Sequence, residues 1–138
     1  MKSQQMMHTE QIRVRWIDTD ASQRIHYTAI FKYFEILEQE FFRSNGLTYS
    51  TLESHGISLP RVNVQCNYQS MIQLDDLLNI RVDIERIGHS SVTLQYHVTQ
   101  ENGVEAANGS VTFVCVNTAT GKSTALPKPL LDCLNNSI

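Results

Sequence analysis

The chain has 138 residues, eleven Lys and Arg against fourteen Asp and Glu, and 41% apolar residues. That length suits one domain over residues 1–138, and the apolar share suffices for a core, which excludes a disordered chain. A net charge of −3 excludes a protein built chiefly to neutralise nucleic-acid phosphates.

Met1 to Glu10 is polar and no run of eighteen apolar residues occurs, so neither a secretory signal nor a membrane span is expected. Cys66, Cys115 and Cys133 form no CxxC or Cys/His pattern. They are expected as three free thiols, two in strands and one in a terminal helix, in a reducing cytoplasm; neither a disulfide framework nor a metal site is suggested.

In chain order, Ile12, Val14 and Trp16 alternate with Arg13 and Arg15, the period of a first strand. The period then changes. Ile30, Phe34, Leu37 and Phe41 form one stripe of a helix, with Lys32, Glu35, Gln39 and Arg43 elsewhere around it and Asn45-Gly46 as its stop. A short helix near Ser50–His55 starts at a Ser or Thr cap and ends at Gly56. Three further strands follow from alternation: Val62 to Tyr68, Leu78 to Ile84 and Val92 to Val98. The run from about Glu105 to Asn117 is more evenly apolar, which predicts a central strand covered on both faces. Turn signals at Asp75-Asp76, Gly88-His89, Asn102-Gly103 and Thr120-Gly121 make the last strands an antiparallel meander. A final short helix is expected after Pro127-Lys-Pro129.

The order β-α-β-β-β-β predicts an α+β fold, one amphipathic helix across a curved antiparallel sheet of about five strands. Such a sheet has an open edge and an incompletely covered region, both of which dimerisation would close.

Chemistry concentrates in Trp16-Ile-Asp18-Thr-Asp20-Ala-Ser-Gln-Arg-Ile-His26-Tyr27, between the first strand and the long helix. The helix N-terminus offers unpaired N–H groups that can polarise a carbonyl, and a nearby carboxylate can attack it or take a proton from water. That is a minimum set for acyl transfer. Acidic residues before a helix are equally ordinary caps, and no further ligand is tied by spacing to Asp18, Asp20 and His26 to make a metal site.

The run from Arg13 to Glu35, with Trp-Ile-Asp-Thr-Asp, His-Tyr and Tyr-Phe-Glu, resembles the 4-hydroxybenzoyl-CoA thioesterase family of hotdog-fold proteins. Arg86-Ile-Gly-His-Ser-Ser91 and Thr120-Gly-Lys…Leu126-Pro-Lys-Pro continue the likeness in matching order. The resemblance implies a hotdog fold and hydrolysis of an acyl-CoA, with coenzyme A as part of the substrate and no separate cofactor. It makes Asp20 the catalytic carboxylate, as nucleophile or general base. The backbone N–H of Tyr27 is the donor to the thioester carbonyl, and His26 lines the site. Asp18 then orders the loop, and Glu35 faces solvent or anchors the helix, with a catalytic role as the further reading, since some hotdog enzymes use a helix glutamate. Arg86, His89, Ser90 and Ser91, with Lys122 and Lys128, are candidates for holding coenzyme A. The family usually carries Gly where this chain has Gln23, so the loop is expected to take another path or widen.

A chain this small cannot wall a thioester tunnel alone, and the resemblance implies a homodimer or homotetramer with the site between protomers. No nucleic-acid or membrane partner is expected. The alternatives are a non-catalytic acyl-CoA or acyl-carrier-protein binding module, for which Gln23 is the support, and an acyl-carrier-protein thioesterase. Phe31, Tyr33, Phe34, Phe41 and Phe42 stay open between lining an acyl pocket and filling the core.

Overall fold

A computed structural model describes residues 5–136. The chain runs β1 (Gln5–Arg13), α1 (Ala29–Ser44), α2 (Tyr49–Ser54), β2 (Ile57–Ser58), β3 (Arg61–Tyr68), β4 (Leu77–Ile87), β5 (Ser91–Gln100), β6 (Glu105–Val114), β7 (Val116–Asn117) and α3 (Lys128–Asn135). Five strands form one antiparallel sheet in the order β1-β4-β5-β6-β3, and β2 pairs with β7 apart from it. Every strand pair of the large sheet carries a register irregularity, at Met6/His8, Arg61/Asn63, Ile84/Arg86 and Val98/Thr99. Bulges of this kind bend strands and increase twist, so the sheet can curve around a helix. This is the hotdog arrangement.

The helix stripe is where the spacing places it: Ile30, Phe34, Leu37 and Phe41 are buried, and Lys32, Glu35, Gln39 and Arg43 are exposed. Against it lie Leu78, Ile80, Val82, Val92, Leu94, Tyr96, Val98, Val111 and Phe113. Phe34 stacks on Tyr96 at 4.0 Å between ring centroids, which fixes α1 over β5. Gly46, with φ +77°, ends α1 in the left-handed conformation that glycine adopts without a Cβ clash. Thr48 caps α2 by accepting a hydrogen bond from the Thr51 N–H at 3.3 Å.

Several expectations are corrected. Strand β1 stops at Arg13, and Trp16 lies in a short 3-10 turn, Trp16–Asp18, with its side chain 82% exposed. Strand β6 lies inside the sheet and buries Ala106, Ala107, Gly109, Val111 and Phe113, but Asn108, Ser110, Thr112 and Val114 in alternation with them are half-exposed, so the strand is not covered evenly on both faces. The run also breaks at Cys115, which lies between β6 and β7 rather than in a strand. All three thiols are free, with Cys66 in β3 and Cys133 in α3. Strand β3 has no buried face. Val62 and Val64 are 59% and 50% exposed because β3 is the sheet edge and α1 does not reach over it.

Candidate active site at the start of the long helix

The loop from Val14 to Thr28 is held by backbone hydrogen bonds to the β3–β4 connection. The Val14 N–H donates to Asp76 O, Asp75 N–H to Val14 O, Ile25 N–H to Ile72 O and Leu74 N–H to Gln23 O. Asp18 turns inward, as expected of a residue that orders the loop. It is buried, accepts from the Tyr33 hydroxyl at 2.6 Å and from the Arg15 N–H at 3.2 Å, and its carbonyl accepts from the His26 N–H. Burial and the neighbouring Asp18 carboxylate push the Tyr33 hydroxyl above its ordinary pKa, so it stays a donor.

Asp20 turns outward and is fully solvated. Its Oδ1 accepts from both the Ser22 hydroxyl (2.5 Å) and the Ser22 N–H (2.9 Å), and the Arg24 backbone N–H also acts on the carboxylate. The Ser22 hydroxyl is the main reason its pKa lies below the ordinary value, and the Ser22 N–H and the His26 ring act in the same direction. Asp20 is therefore ionised at neutral pH, with its carboxylate exposed to solvent. Asp20 N–H donates to Arg24 O and Gln23 N–H to Asp20 O, closing a tight turn. Gln23 closes it at φ +64°. The loop thus follows the left-handed path that a glycine would take, and the expected detour does not occur; the turn's hydrogen bonds outweigh a cost of about 1–2 kcal/mol.

At the helix start, the Thr28 N–H donates to His26 Nδ1 at 3.2 Å and the Thr28 hydroxyl lies 2.7 Å from the same atom. With Nδ1 accepting, the ring proton belongs on Nε2. His26 stacks on Tyr27, whose side chain is 70% exposed. The Tyr27 carbonyl accepts from the Tyr68 hydroxyl at 2.5 Å, which ties the helix start to the end of edge strand β3. The His26 ring is close enough to act on the Asp20 carboxylate and stacks on Tyr27, whose N–H has no acceptor among the described residues.

The other candidates are not brought to them. Arg86 ends β4, and His89, Ser90 and Ser91 form the β4–β5 turn and its exit. Their side chains carry no hydrogen bond or ion pair among the described residues, while the His89 and Ser90 carbonyls hold the N–H groups of Leu126 and Cys115. The loop leaves at the opposite end of β4, where Leu77 pairs with Arg13. Nine residues of strand at roughly 3.3 Å each separate Leu77 from Arg86, about 30 Å. Lys122 is exposed, and Lys128 is paired with Asp132 at 3.0 Å. Glu35 is exposed on α1, as one of its two expected positions has it.

A groove of about 730 Å³ runs along α1 from Phe31 to Arg43, walled by α1, α2, β2, β3 and Val111 of β6. Phe31, Phe34 and Phe42 line it, while Tyr33 and Phe41 belong to the core. Sequence reasoning missed its polar members. Glu38 is buried on the apolar stripe of α1, bonded to the Tyr96 hydroxyl and to the Arg61 guanidinium. Its place four residues after Phe34 and three before Phe41 was the available signal. Among the described residues no three His, Cys, Asp or Glu side chains gather to hold a metal ion.

The five-stranded antiparallel sheet curved around α1 defines the class of the fold, the hotdog domains. The model of the thioesterase-like superfamily matches residues 14–134, and the chain belongs to that family and with it to the thioester hydrolases. It is 29% identical to the long-chain acyl-CoA thioesterase FadM of Escherichia coli strain K12, over 93% of this chain and 97% of that protein. It is 27% identical to a 1,4-dihydroxy-2-naphthoyl-CoA hydrolase of Prochlorococcus marinus strain NATL2A, over 85% and 80%. The crystal structure of a 1,4-dihydroxy-2-naphthoyl-CoA thioesterase from Synechocystis shares the fold at a TM-score of 0.87 and 19% identity, covering 94% of this chain and 96% of that one.

Proposed function

We propose that the chain is an acyl-CoA thioesterase whose site is completed between two copies. The observation that carries the reading is the pairing of the ionised Asp20 carboxylate with the unpartnered Tyr27 N–H at the start of α1. The thioester carbonyl oxygen accepts from the Tyr27 N–H, and the positive end of α1 stabilises the oxyanion that develops. As general base, the Asp20 carboxylate removes a proton from water, hydroxide adds to the carbonyl carbon, and the C–S bond breaks as the thiolate regains that proton. As nucleophile, Asp20 displaces the thiolate to form an anhydride, which water then cleaves. Single turnover in ¹⁸O-water separates the two, since only the anhydride route leaves label in Asp20 when water attacks the Asp20 carbonyl. The His26 ring borders the same space. Three free cysteines fit a reducing cytoplasm, and among the described residues no helix is long and apolar enough to cross a membrane.

The need for a second copy follows from separation and exposure. The coenzyme A candidates lie about 30 Å along β4 from the end of the sheet where the Asp20 loop leaves. Strand β3 is an unpaired edge with exposed Val62 and Val64, an arrangement that invites strand pairing. Pairing two β3 strands antiparallel about a two-fold reverses the partner's sheet. Its β4–β5 turn then falls at the same end as this chain's Asp20 loop. Arg86, His89, Ser90 and Ser91 of one copy thereby face the loop of the other. The alternative of a binding module without turnover is distinguished by thiol release, and Gln23, at φ +64°, adopts the left-handed conformation open to glycine.

The test is thiol release from a panel of short, long and aromatic acyl-CoAs. Asp20→Asn is expected to lower kcat by about 10²–10⁴-fold while circular dichroism stays unchanged. Wild-type turnover in the folded variant overturns the assignment.

A further inference from the structure

Arg61 begins strand β3 and reaches across the floor of the groove to α1. Three contacts fix its guanidinium. One Nη2 N–H donates to the Glu38 carboxylate, one Nη1 N–H donates to the Leu59 carbonyl at 2.7 Å, and the plane sits 5.1 Å from the centre of the Phe113 ring. Glu38 is fixed in turn by the Tyr96 hydroxyl. Both Glu38 oxygens are thus engaged, but only two of the five N–H bonds that a guanidinium offers are used. The others have no partner among the described residues, and Arg61 is a groove-lining side chain left 37% exposed. Around it the wall is apolar: Phe34, Phe42, Leu52, Ile57, Leu59 and Val111. An ion pair in such a wall is a poor choice for stability alone, since an apolar pair of equal volume is often as stable.

We infer that Arg61, held in place by Glu38, selects acyl chains that carry an acceptor oxygen, a hydroxyl or a keto group, well along the chain. This rests on the proposed thioester site at the head of α1. Glu38 lies nine residues beyond Ala29, so it holds the guanidinium at a level about 14 Å down the helix from the start of α1. A benzoyl-sized group ends short of that point, whereas a medium or long chain running along the groove passes it. The chemical class is therefore the oxygenated medium- or long-chain acyl-CoA. Glu38 is a positioning residue, because it acts only through Arg61.

The experiment compares dodecanoyl-CoA with a series of hydroxy- and oxo-dodecanoyl-CoAs in which the oxygen is moved along the chain. Both kcat/KM and, with non-hydrolysable thioether analogues, the calorimetric Kd are measured on the native assembly. The wild type is expected to favour one oxygen position over the plain chain by about ten- to a hundredfold, the range for a hydrogen bond to a charged group. In Arg61→Met that ratio falls to about one, and in Glu38→Gln it falls partway, with the mass by light scattering unchanged. A flat response of the wild type across all positions overturns the inference and needs no variant to do so. A preference that survives in Arg61→Met overturns it as well. Plain dodecanoyl-CoA hydrolysed without preference defeats this inference alone. Absence of all hydrolysis defeats the thioesterase reading, while the thioether Kd values still decide the role of Arg61.

Discussion

At the scale of single residues, the two aspartates of the loop have opposite environments, and the difference assigns them opposite tasks. Asp18 is buried under the Tyr33 hydroxyl and holds the loop, whereas Asp20 stands in solvent with its Oδ1 gripped by Ser22. Hydrogen bonds to the ionised form lower a carboxyl pKa, and the Ser22 hydroxyl is the largest such cause at Asp20. Activity that needs the Asp20 carboxylate is present above its pKa and is lost as pH falls through it. In Ser22→Ala the hydroxyl bond is absent, so the pKa rises toward the ordinary value. The acid limb of the kcat/KM profile is then expected to move to higher pH, with the plateau near neutrality little changed. An acid limb that stays in place, or moves down, would show that Ser22 does not tune this group.

At the scale of elements, the helix and strands were legible where the signal is local. The stripe Ile30, Phe34, Leu37 and Phe41 and the alternation in β4 and β5 report burial directly, because each element faces one layer. The loop between β1 and α1 was legible as a loop for the same reason, since its polar run interrupts both periods. The Glu38–Arg61–Tyr96 group was not. Its members lie 23 and 58 positions apart and meet only through the register of β3, β6 and β5 against α1. Exposure of β3 was equally hidden, since alternation cannot tell an edge strand from a covered one. The close approach of α1 to the sheet depends on one position that no periodicity marks. A Cβ on Gly109 of β6 would lie 2.4 Å from the Gln65 carbonyl oxygen and 2.9 Å from Phe34 Cε2. Gly109→Ala must push the edge strand or the Phe34–Tyr96 stack aside. A loss of about 1–3 kcal/mol of stability is expected, read as a lower midpoint in urea with an unchanged slope. An unchanged midpoint would mean that β3 shifts freely and is not held against β6 as tightly as the register implies.

At the scale of the whole molecule, the proposed reading puts the two halves of the site at opposite ends of one chain's sheet. Asp20 and Tyr27 sit where β1 meets the start of β4, while Arg86 and His89 sit where β4 ends. A monomeric enzyme would have to bring these together within one sheet, and the length of β4 forbids it. Two-fold pairing at β3 joins them with no change in either chain, because antiparallel pairing inverts the partner. This geometry makes a prediction that single variants cannot. Asp20→Asn lacks the carboxylate but keeps the coenzyme A donors, and Arg86→Ala/His89→Ala has the reverse defect. Each alone is expected to hydrolyse acyl-CoA poorly. Unfolded together and refolded as a mixture, half of the dimers are hybrids, and each hybrid holds one site with every group intact. About a quarter of wild-type activity should return, and it should not return when the two are refolded separately and combined without exchange. If the refolded mixture is only as active as the sum of its parts, the carboxylate and the coenzyme A donors belong to the same chain, and the second copy serves stability alone.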